Sequence, residues 1–187
     1  MPRIRVIPHN EASGRLKEIY DKIMDSRGKL ADVHQIQSLR PESICRHMDL
    51  YMEIMYSRSE LSRAERELIG TVVSMENGCK YCTTHHAQAL QQYWKDQSKM
   101  ETLTRGAMYE VLSAREAAIC RFSMHLTRHP GAHEDHDYTK DLKNIGLSDS
   151  AILDIVLVTA YFNFVNRIVL SLGVELEPDK GTGYKYE

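Results

Sequence analysis

The sequence predicts an all-α protein, and three observations carry that prediction. Apolar residues recur at the three-and-four spacing of a buried helix face through nearly every segment. Three segments open with Leu-Ser, at Leu61, Leu112 and Leu147, and Ser62 and Ser113 are each followed three residues later by Glu, the pattern of a capping box. No run shows the period-two alternation of a half-buried strand. At 187 residues and 42% hydrophobic content, the chain suits one domain, 1–187, with a real core.

The elements follow in order. Asn10 is expected to cap a first helix that runs to about Arg27 and stops at Gly28, with Leu16, Ile19, Tyr20 and Ile23 on its buried face. A Gln-rich link spans Val33 to Leu39. Pro41 opens a helix from Glu42 to about Arg58, with Ile44, Met48, Tyr51, Met52 and Met55 inward. Ser62 with Glu65 starts the next helix, and Asn77-Gly78 stops it. A further helix begins at the cysteine pair and reaches Tyr93 or Trp94. Ser113 with Glu116 starts one that runs to Pro130. A short helix from about Asp135 to Asn144 ends at Gly146, and "LSDS" opens a long apolar helix to about Leu172. The recurrence of Leu-Ser is explained more simply by a good staple-and-cap pair than by internal duplication. The tail from about 174 to 187 is polar and glycine-rich and is expected to be irregular, its two tyrosines available to a neighbouring subunit.

Charge narrows the range of partners. Lys plus Arg number 24 against 26 Asp plus Glu, a formal balance of −2, which gives no electrostatic reason to expect nucleic acid or an anionic membrane. The opening "MPRIRVIPHNEASGRL" lacks the apolar core of a secretory signal. The run from Ala151 is long enough to span a bilayer. Asp154, Asn163, Asn166 and Arg167 interrupt it, however, and predict a helix buried in protein. The cytoplasm is the expected location. There, a close cysteine pair points to metal or redox chemistry rather than to an exported disulfide framework.

The informative stretch is "ENGCKYCTTHHAQAL", Glu76 to Leu90. Cys79 would lie at the start of its helix, and Cys82 one turn further along the same side. Unpaired amides and the positive end of the helix dipole favour a thiolate there. His86 lies one further turn along, within reach for proton exchange, whereas His85 points about 100° away. Reduction of a peroxide needs an attacking thiolate, a proton for the departing oxygen and a second thiol to resolve the sulfenic acid as a disulfide. Cys82, His86 and Cys79 could fill these positions. Spacing leaves the attacker open: Cys79 has the stronger dipole, Cys82 the nearer histidine. Glu67, in the preceding helix among Leu68, Val72 and Met75, could orient His86 if it faces inward, although "RAERE" also reads as a solvated charged face.

Other readings carry less. A structural zinc site wants four well-placed ligands, and this motif offers one CxxC with His86 and either His85 or Glu67. An inert disulfide is not needed in a chain of this size. An oligomeric redox sensor or scaffold would use the same disulfide without catalysis.

Glu67, twelve residues before Cys79, together with Cys79, Cys82 and His86, resembles the E-x11-C-x-x-C-x3-H signature of the alkylhydroperoxidase D-like branch of the carboxymuconolactone decarboxylase family. The resemblance covers best about Met48 to Trp94, and "NFVNRIVLSLGVELEP" resembles the ending of the peroxidase-related members. It implies an all-α, AhpD-like bundle with the CxxC at the start of a core helix, assembled as a trimer or hexamer. It further implies Cys82 as peroxidatic nucleophile, Cys79 as its disulfide partner and His86 and Glu67 as a proton relay, with no metal, haem or flavin cofactor. The implied reductant is a lipoyl protein, a thioredoxin-like protein or a peroxiredoxin. The decarboxylase members do not depend on a CxxC pair. Tyr81 departs from the pattern, since the peroxidases proper often carry histidine just before the second cysteine. A phenol of ordinary pKa ~10 is a poor base but a good hydrogen-bond donor to a thiolate or peroxide oxygen. The Cys-x-Tyr-Cys form resembles the peroxidase-related subgroup and the redox domain of sestrins.

Elsewhere the plainer readings hold. Cys45 and Cys120 are expected to be buried free thiols. His125, His129, His133 and His136 are expected in an exposed turn, because Pro130 and Gly131 break their helix. Arg167 is expected to pair with a carboxylate in the core or at a subunit interface.

Overall fold

Why the chain folds as it does is plainest where helices meet. In the computed structural model, which describes residues 1–179, ten α-helices and no strand occur among the described residues: α1 Gly14–Arg27, α2 Asp32–Gln35, α3 Pro41–Tyr56, α4 Arg63–Glu76, α5 Lys80–Trp94, α6 Gln97–Thr104, α7 Ala114–Arg128, α8 Ala132–Asp135, α9 Thr139–Asn144 and α10 Asp149–Leu172. All three Leu-Ser serines act as caps: Ser62, Ser113 and Ser148 accept from the amides of Glu65, Glu116 and Ala151, and the first two complete full capping boxes.

The α4–α5 hairpin is the centre of the fold. It turns at Asn77 and Gly78, the latter at φ +66, where a side chain would be strained. Beyond the turn, the Cys79 amide donates to the Ser74 carbonyl at 2.8 Å, which ties the start of α5 to the end of α4. α10 and α7 pack on α4, and the main core lies between them, filled by residues such as Ile69, Val73, Ile119, Ile155, Val158 and Phe162. A second cluster around Leu68, Leu90 and Leu103 seats α6, and a third around Tyr20 and Ile44 joins α1 to α3. Gly70 permits the tightest of these contacts, since a Cβ there would come within 2.6 Å of the Phe162 ring. α10 is long and apolar enough to cross a membrane, but Asp154 and Asn163 on it are matched within the protein. Ser59 donates to Asp154, and Asn163 donates to Thr127.

Several boundaries differ from expectation. The first helix is preceded by Ser13 rather than Asn10, which falls in a short 3₁₀ turn, His9–Glu11. The Gln-rich link contains α2, and Pro41 is itself the first residue of α3. Met52 faces outward at 38% exposed, and His47 and Ile54 take buried places on α3 instead. α6 had no counterpart in the sequence reading: Asp96 caps it, its side chain accepting from the Lys99 amide. The expected helix from Asp135 to Asn144 is two, α8 and α9. His136 adopts an extended conformation, and the Asp137 carboxylate accepts from the Thr139 amide at 3.0 Å to start the second. The tail is irregular over its described part; Tyr184 and Tyr186 lie outside the described residues.

Candidate active site

The α5 helix begins at the dithiol. Cys79 is its N-cap residue, and the Cys82 thiol and the backbone amides of Tyr81 and Cys82 lie close to its sulfur. The hydrogen bond from Cys82 leads these in lowering the Cys79 pKa. Cys82 moves the other way. Its proton is held by Cys79, and burial raises it further, opposed by a hydrogen bond from Asn166. Loss of a proton from the pair is therefore favoured at Cys79 over Cys82.

Access divides the two sulfurs differently. Cys82, with His86, Tyr81, Tyr161 and Phe162, lines a partly open cavity of about 90 Å³. That is room for several waters or a small hydroperoxide. Cys79 lines a separate hollow of about 490 Å³ between the α5 start and the chain segments around Arg3 and Val174.

Glu67 is wholly buried, at 0% exposed. Its Oε2 lies 2.7 Å from His86 Nδ1, and its Oε1 accepts from Arg63 Nη2 at 2.7 Å. Because Arg63 already donates to this carboxylate, Glu67 is the acceptor from His86 Nδ1, which fixes the orientation of the ring. Phe162 packs edge-on against the His86 ring at 4.4 Å. "RAERE" is thus not a solvated face: Arg63 pairs with Glu67, and Arg66 donates to the carbonyls of Ile54, Ser57 and Leu61, closing the α3 C-terminus. Arg63 also lies 3.5 Å over the Tyr56 ring.

A second histidine–carboxylate pair stands beside the first. His85 Nε2 lies 2.8 Å from Glu177 Oε2, the Tyr81 hydroxyl donates to Glu177 Oε1 at 2.8 Å, and the Asp32 amide reaches the same oxygen at 3.2 Å. Burial alone would raise the Glu177 pKa, but the His85 hydrogen bond and charge, with the Tyr81 hydroxyl, outweigh it and hold the carboxyl at about 2. Tyr81 also accepts from the Val33 amide at 3.3 Å, and its ring stacks on His85 at 4.4 Å. Tyr81 is thus anchored by the tail, whereas His86 is anchored by α4. Sequence reading passed over His85 on angular grounds and did not single out Glu177. Nothing local signalled it: the neighbouring Glu175 and Pro178 are exposed.

Asn166 was flagged as a polar intrusion in an apolar helix, and its place explains it. Asn77 Nδ2 donates to Asn166 Oδ1 at 2.9 Å, which turns the Asn166 amide nitrogen toward Ser74 Oγ and Cys82. Arg167 corrects the expectation of a carboxylate partner in the core. It is exposed and bonds the carbonyl and side-chain oxygens of Asn163 at 2.7 and 2.8 Å, because its place on α10 faces solvent.

Cys120 is buried and its thiol is pushed up by burial, whereas Cys45 is half-buried near Arg15. His125 and His133 meet at 3.1 Å and stack with Tyr138. Among the described residues, no group of three or more His, Cys, Asp or Glu is placed to hold a metal ion.

Residues 46–122 match the carboxymuconolactone decarboxylase family. The whole fold is similar to that of a peroxidase-related protein from Silicibacter sp. TM1040, at TM-score 0.82 and 24% identity over 98% of both chains. It is also similar to a peroxidase-related protein with an alkylhydroperoxidase AhpD core from Ralstonia eutropha JMP134, at TM-score 0.83 and 21% identity over 96% of this chain and 94% of that one. A third similar structure is the debrominase Bmp8 in complex with 2,3,4-tribromopyrrole, at TM-score 0.78 and 15% identity over 96% of each chain.

Proposed function

We propose that the chain, which has the AhpD-like helical fold and matches the carboxymuconolactone decarboxylase family over residues 46–122, is a member of that family and a thiol-dependent peroxidase whose attacking sulfur is Cys82. The observation that supports this reading is the division of the dithiol: Cys82 lines the cavity beside His86, and Cys79 lines a separate hollow, which suits it to act as proton acceptor and resolving thiol.

Chemistry follows from that arrangement. Cys82 attacks one peroxide oxygen as its proton passes along the hydrogen bond to the Cys79 thiolate. The S–O bond forms, the O–O bond breaks, and the electron pair leaves on the departing oxygen. His86, held by Glu67 and carrying the proton that Cys79 gave up, delivers it to that oxygen, releasing an alcohol or water. Cys79 then attacks the Cys82 sulfenic acid, the S–S bond forms, and hydroxide leaves with the Cys79 proton as water. Two thiols and one hydroperoxide become one disulfide, one alcohol and one water. A dithiol reductant, such as a lipoyl protein, a thioredoxin-like protein or a peroxiredoxin, restores the pair by exchange, and no metal or organic cofactor enters the cycle. A reducing compartment such as the cytoplasm suits this cycle. Leu153, Leu157 and Phe164 leave an apolar stripe on the outer side of α10, which supports a homo-oligomer of trimeric or hexameric form.

The test is single turnover with stoichiometric hydroperoxide, followed by peptide mapping. The intact protein should form a Cys79–Cys82 disulfide. C79S should stop at a dimedone-trappable sulfenic acid on Cys82, and C82S should lose the fast phase. A C82S protein that reacts at the original rate would reassign the nucleophile to Cys79.

A second reading uses the same dithiol. Tyr51, Tyr81, Tyr161 and Phe162 wall the cavity with aromatic rings, which favours a flat aromatic guest. Bromide loss from such a guest, giving the hydrogen-bearing ring, hydrogen bromide and a disulfide, draws on the same two electrons. Bromide release from tribromopyrrole, compared with peroxide consumption, decides between them, with lactone decarboxylation assayed in parallel.

A further inference from the structure

The cavity holds a hydrogen-bond donor that the relay above does not use. Gln37, in the segment after α2, places its amide nitrogen 2.8 Å from the Val33 carbonyl and 2.8 Å from His47 Nδ1. The carbonyl can only accept, so it is the NH₂ group of Gln37 that stands there, and its second hydrogen goes to His47. His47 Nδ1 therefore accepts and bears no proton. The ring's hydrogen is on Nε2, which lies 2.7 Å from the Tyr161 hydroxyl oxygen. His47 is the donor in that bond, and Tyr161's own hydrogen must point elsewhere. No other side chain or carbonyl of the described residues takes it. Tyr161 is 6% exposed, and its accessible side belongs to the cavity that also holds Cys82 and His86.

We infer that Tyr161 is a catalytic hydrogen-bond donor to the substrate oxygen in this cavity, aimed there by Gln37 and His47 as positioning residues. This rests on the peroxidase reading above. When Cys82 attacks, negative charge gathers on the departing oxygen, and a donor fixed in place stabilises that charge without any net transfer of its own hydrogen. The proton that ends on the product is the one delivered by His86. Two further facts agree with this role. Burial holds the Tyr161 phenol well above its ordinary range, so the donor keeps its hydrogen, and burial pushes His47 down to about 4, so the ring stays neutral and the direction of the chain stays set. Neither Gln37 nor His47 is part of the CxxC segment, and the chain approaches the cavity from α3 and α10 rather than from α4.

The experiment measures two reactions of the reduced dithiol in parallel, the rate of disulfide formation with a hydroperoxide and the rate of alkylation by iodoacetamide. Alkylation is read at Cys82 alone, resolved from Cys79 by peptide mapping, and expels iodide, which needs no donor. Y161F should slow the peroxide reaction about 100-fold, the loss seen when one such donor is removed, and leave alkylation within about twofold. Q37E sets an acceptor against His47 Nδ1, moves the ring hydrogen to that nitrogen and turns the Tyr161 hydrogen back to His47. It should reproduce most of the Y161F loss although it does not line the cavity. Histidine ¹⁵N spectra supply a readout independent of turnover, with His47 protonated at Nε2 in the native protein and at Nδ1 in Q37E. An unchanged peroxide rate in Y161F, an equal loss in both reactions, or a native His47 protonated at Nδ1 overturns the inference. Failure of the peroxidase reading looks different: the native protein itself would react no faster than a free dithiol, while the His47 spectrum would still report the direction of the chain.

Discussion

His85 and His86 are neighbours in sequence, each holds a carboxylate through one ring nitrogen, and the two pairs are built in opposite ways. Glu67 stands in the middle of α4, wholly buried, with a second partner in Arg63, so its charge is matched inside the protein. Glu177 comes from an irregular segment beyond α10 and is met by His85, the Tyr81 hydroxyl and a backbone amide. One pair is a fixture of the core. The other is a latch between the chain's last described residues and the first turns of α5. The difference teaches that adjacent residues on one helix can answer to quite different parts of the fold, since about 100° of helix rotation separates their surroundings.

The comparison breaks most sharply at Glu67. E67Q leaves Arg63 buried without its counter-charge and should cost about 3 kcal/mol in urea unfolding. It should also lower peroxide reduction by about 100-fold through loss of the His86 partner. A variant as stable as the native protein would show that the pair is not the core fixture described here. Next is G70A, which does not touch either carboxylate. Its Cβ would meet Phe162 at 2.6 Å, pushing that ring toward His86 at a cost of about 1–3 kcal/mol. A melting temperature unmoved by G70A would mean that Phe162 has room to shift.

The latch is tested by acid. Glu177 has its pKa depressed to about 2 from an ordinary 4.5. The stability it contributes is therefore present above pH 4.5 and is lost as pH falls from 4.5 toward 2. E177Q should lower stability at pH 7 by about 1–2 kcal/mol, allowing for partial solvent screening. It should also flatten the acid limb in that window, which is read by denaturant titrations at several pH values. Identical acid limbs for E177Q and the native protein would remove the latch from the account. The smallest effect is expected for Y81F, which removes the hydroxyl shared by Glu177 and the Val33 amide and should cost about 1 kcal/mol. It leaves Cys82 and His86 in place, so the single-turnover rate should stay within a few-fold of native.

The same contrast explains what could be read from sequence. Glu67, Cys79, Cys82 and His86 sit on two consecutive helices, where helical periodicity alone predicts which side chains meet. Caps at Ser62, Ser113 and Ser148 were legible because capping is a local affair of four residues. Glu177 was not legible, since 92 residues separate it from His85 and the segment that carries it has no period. Gln37, His47 and Tyr161 escaped for the same reason, their meeting being decided by how α3 packs on α10. Arg63 was hidden by its composition, because a charged cluster signals solvent until its partner is known to be buried. Arg167 shows the converse, for a cation within an apolar run signals burial until the helix is turned.

The late position of α10 has a consequence for the chain as it is made. Tyr161, Phe162 and Asn166 wall or bond the dithiol pocket, and Glu177 closes it, yet all lie far downstream of the cysteines. At ordinary synthesis rates, the 92 residues between His85 and Glu177 take about 5–20 s to add. For that interval the growing polypeptide carries two thiols whose shelter has not yet been translated.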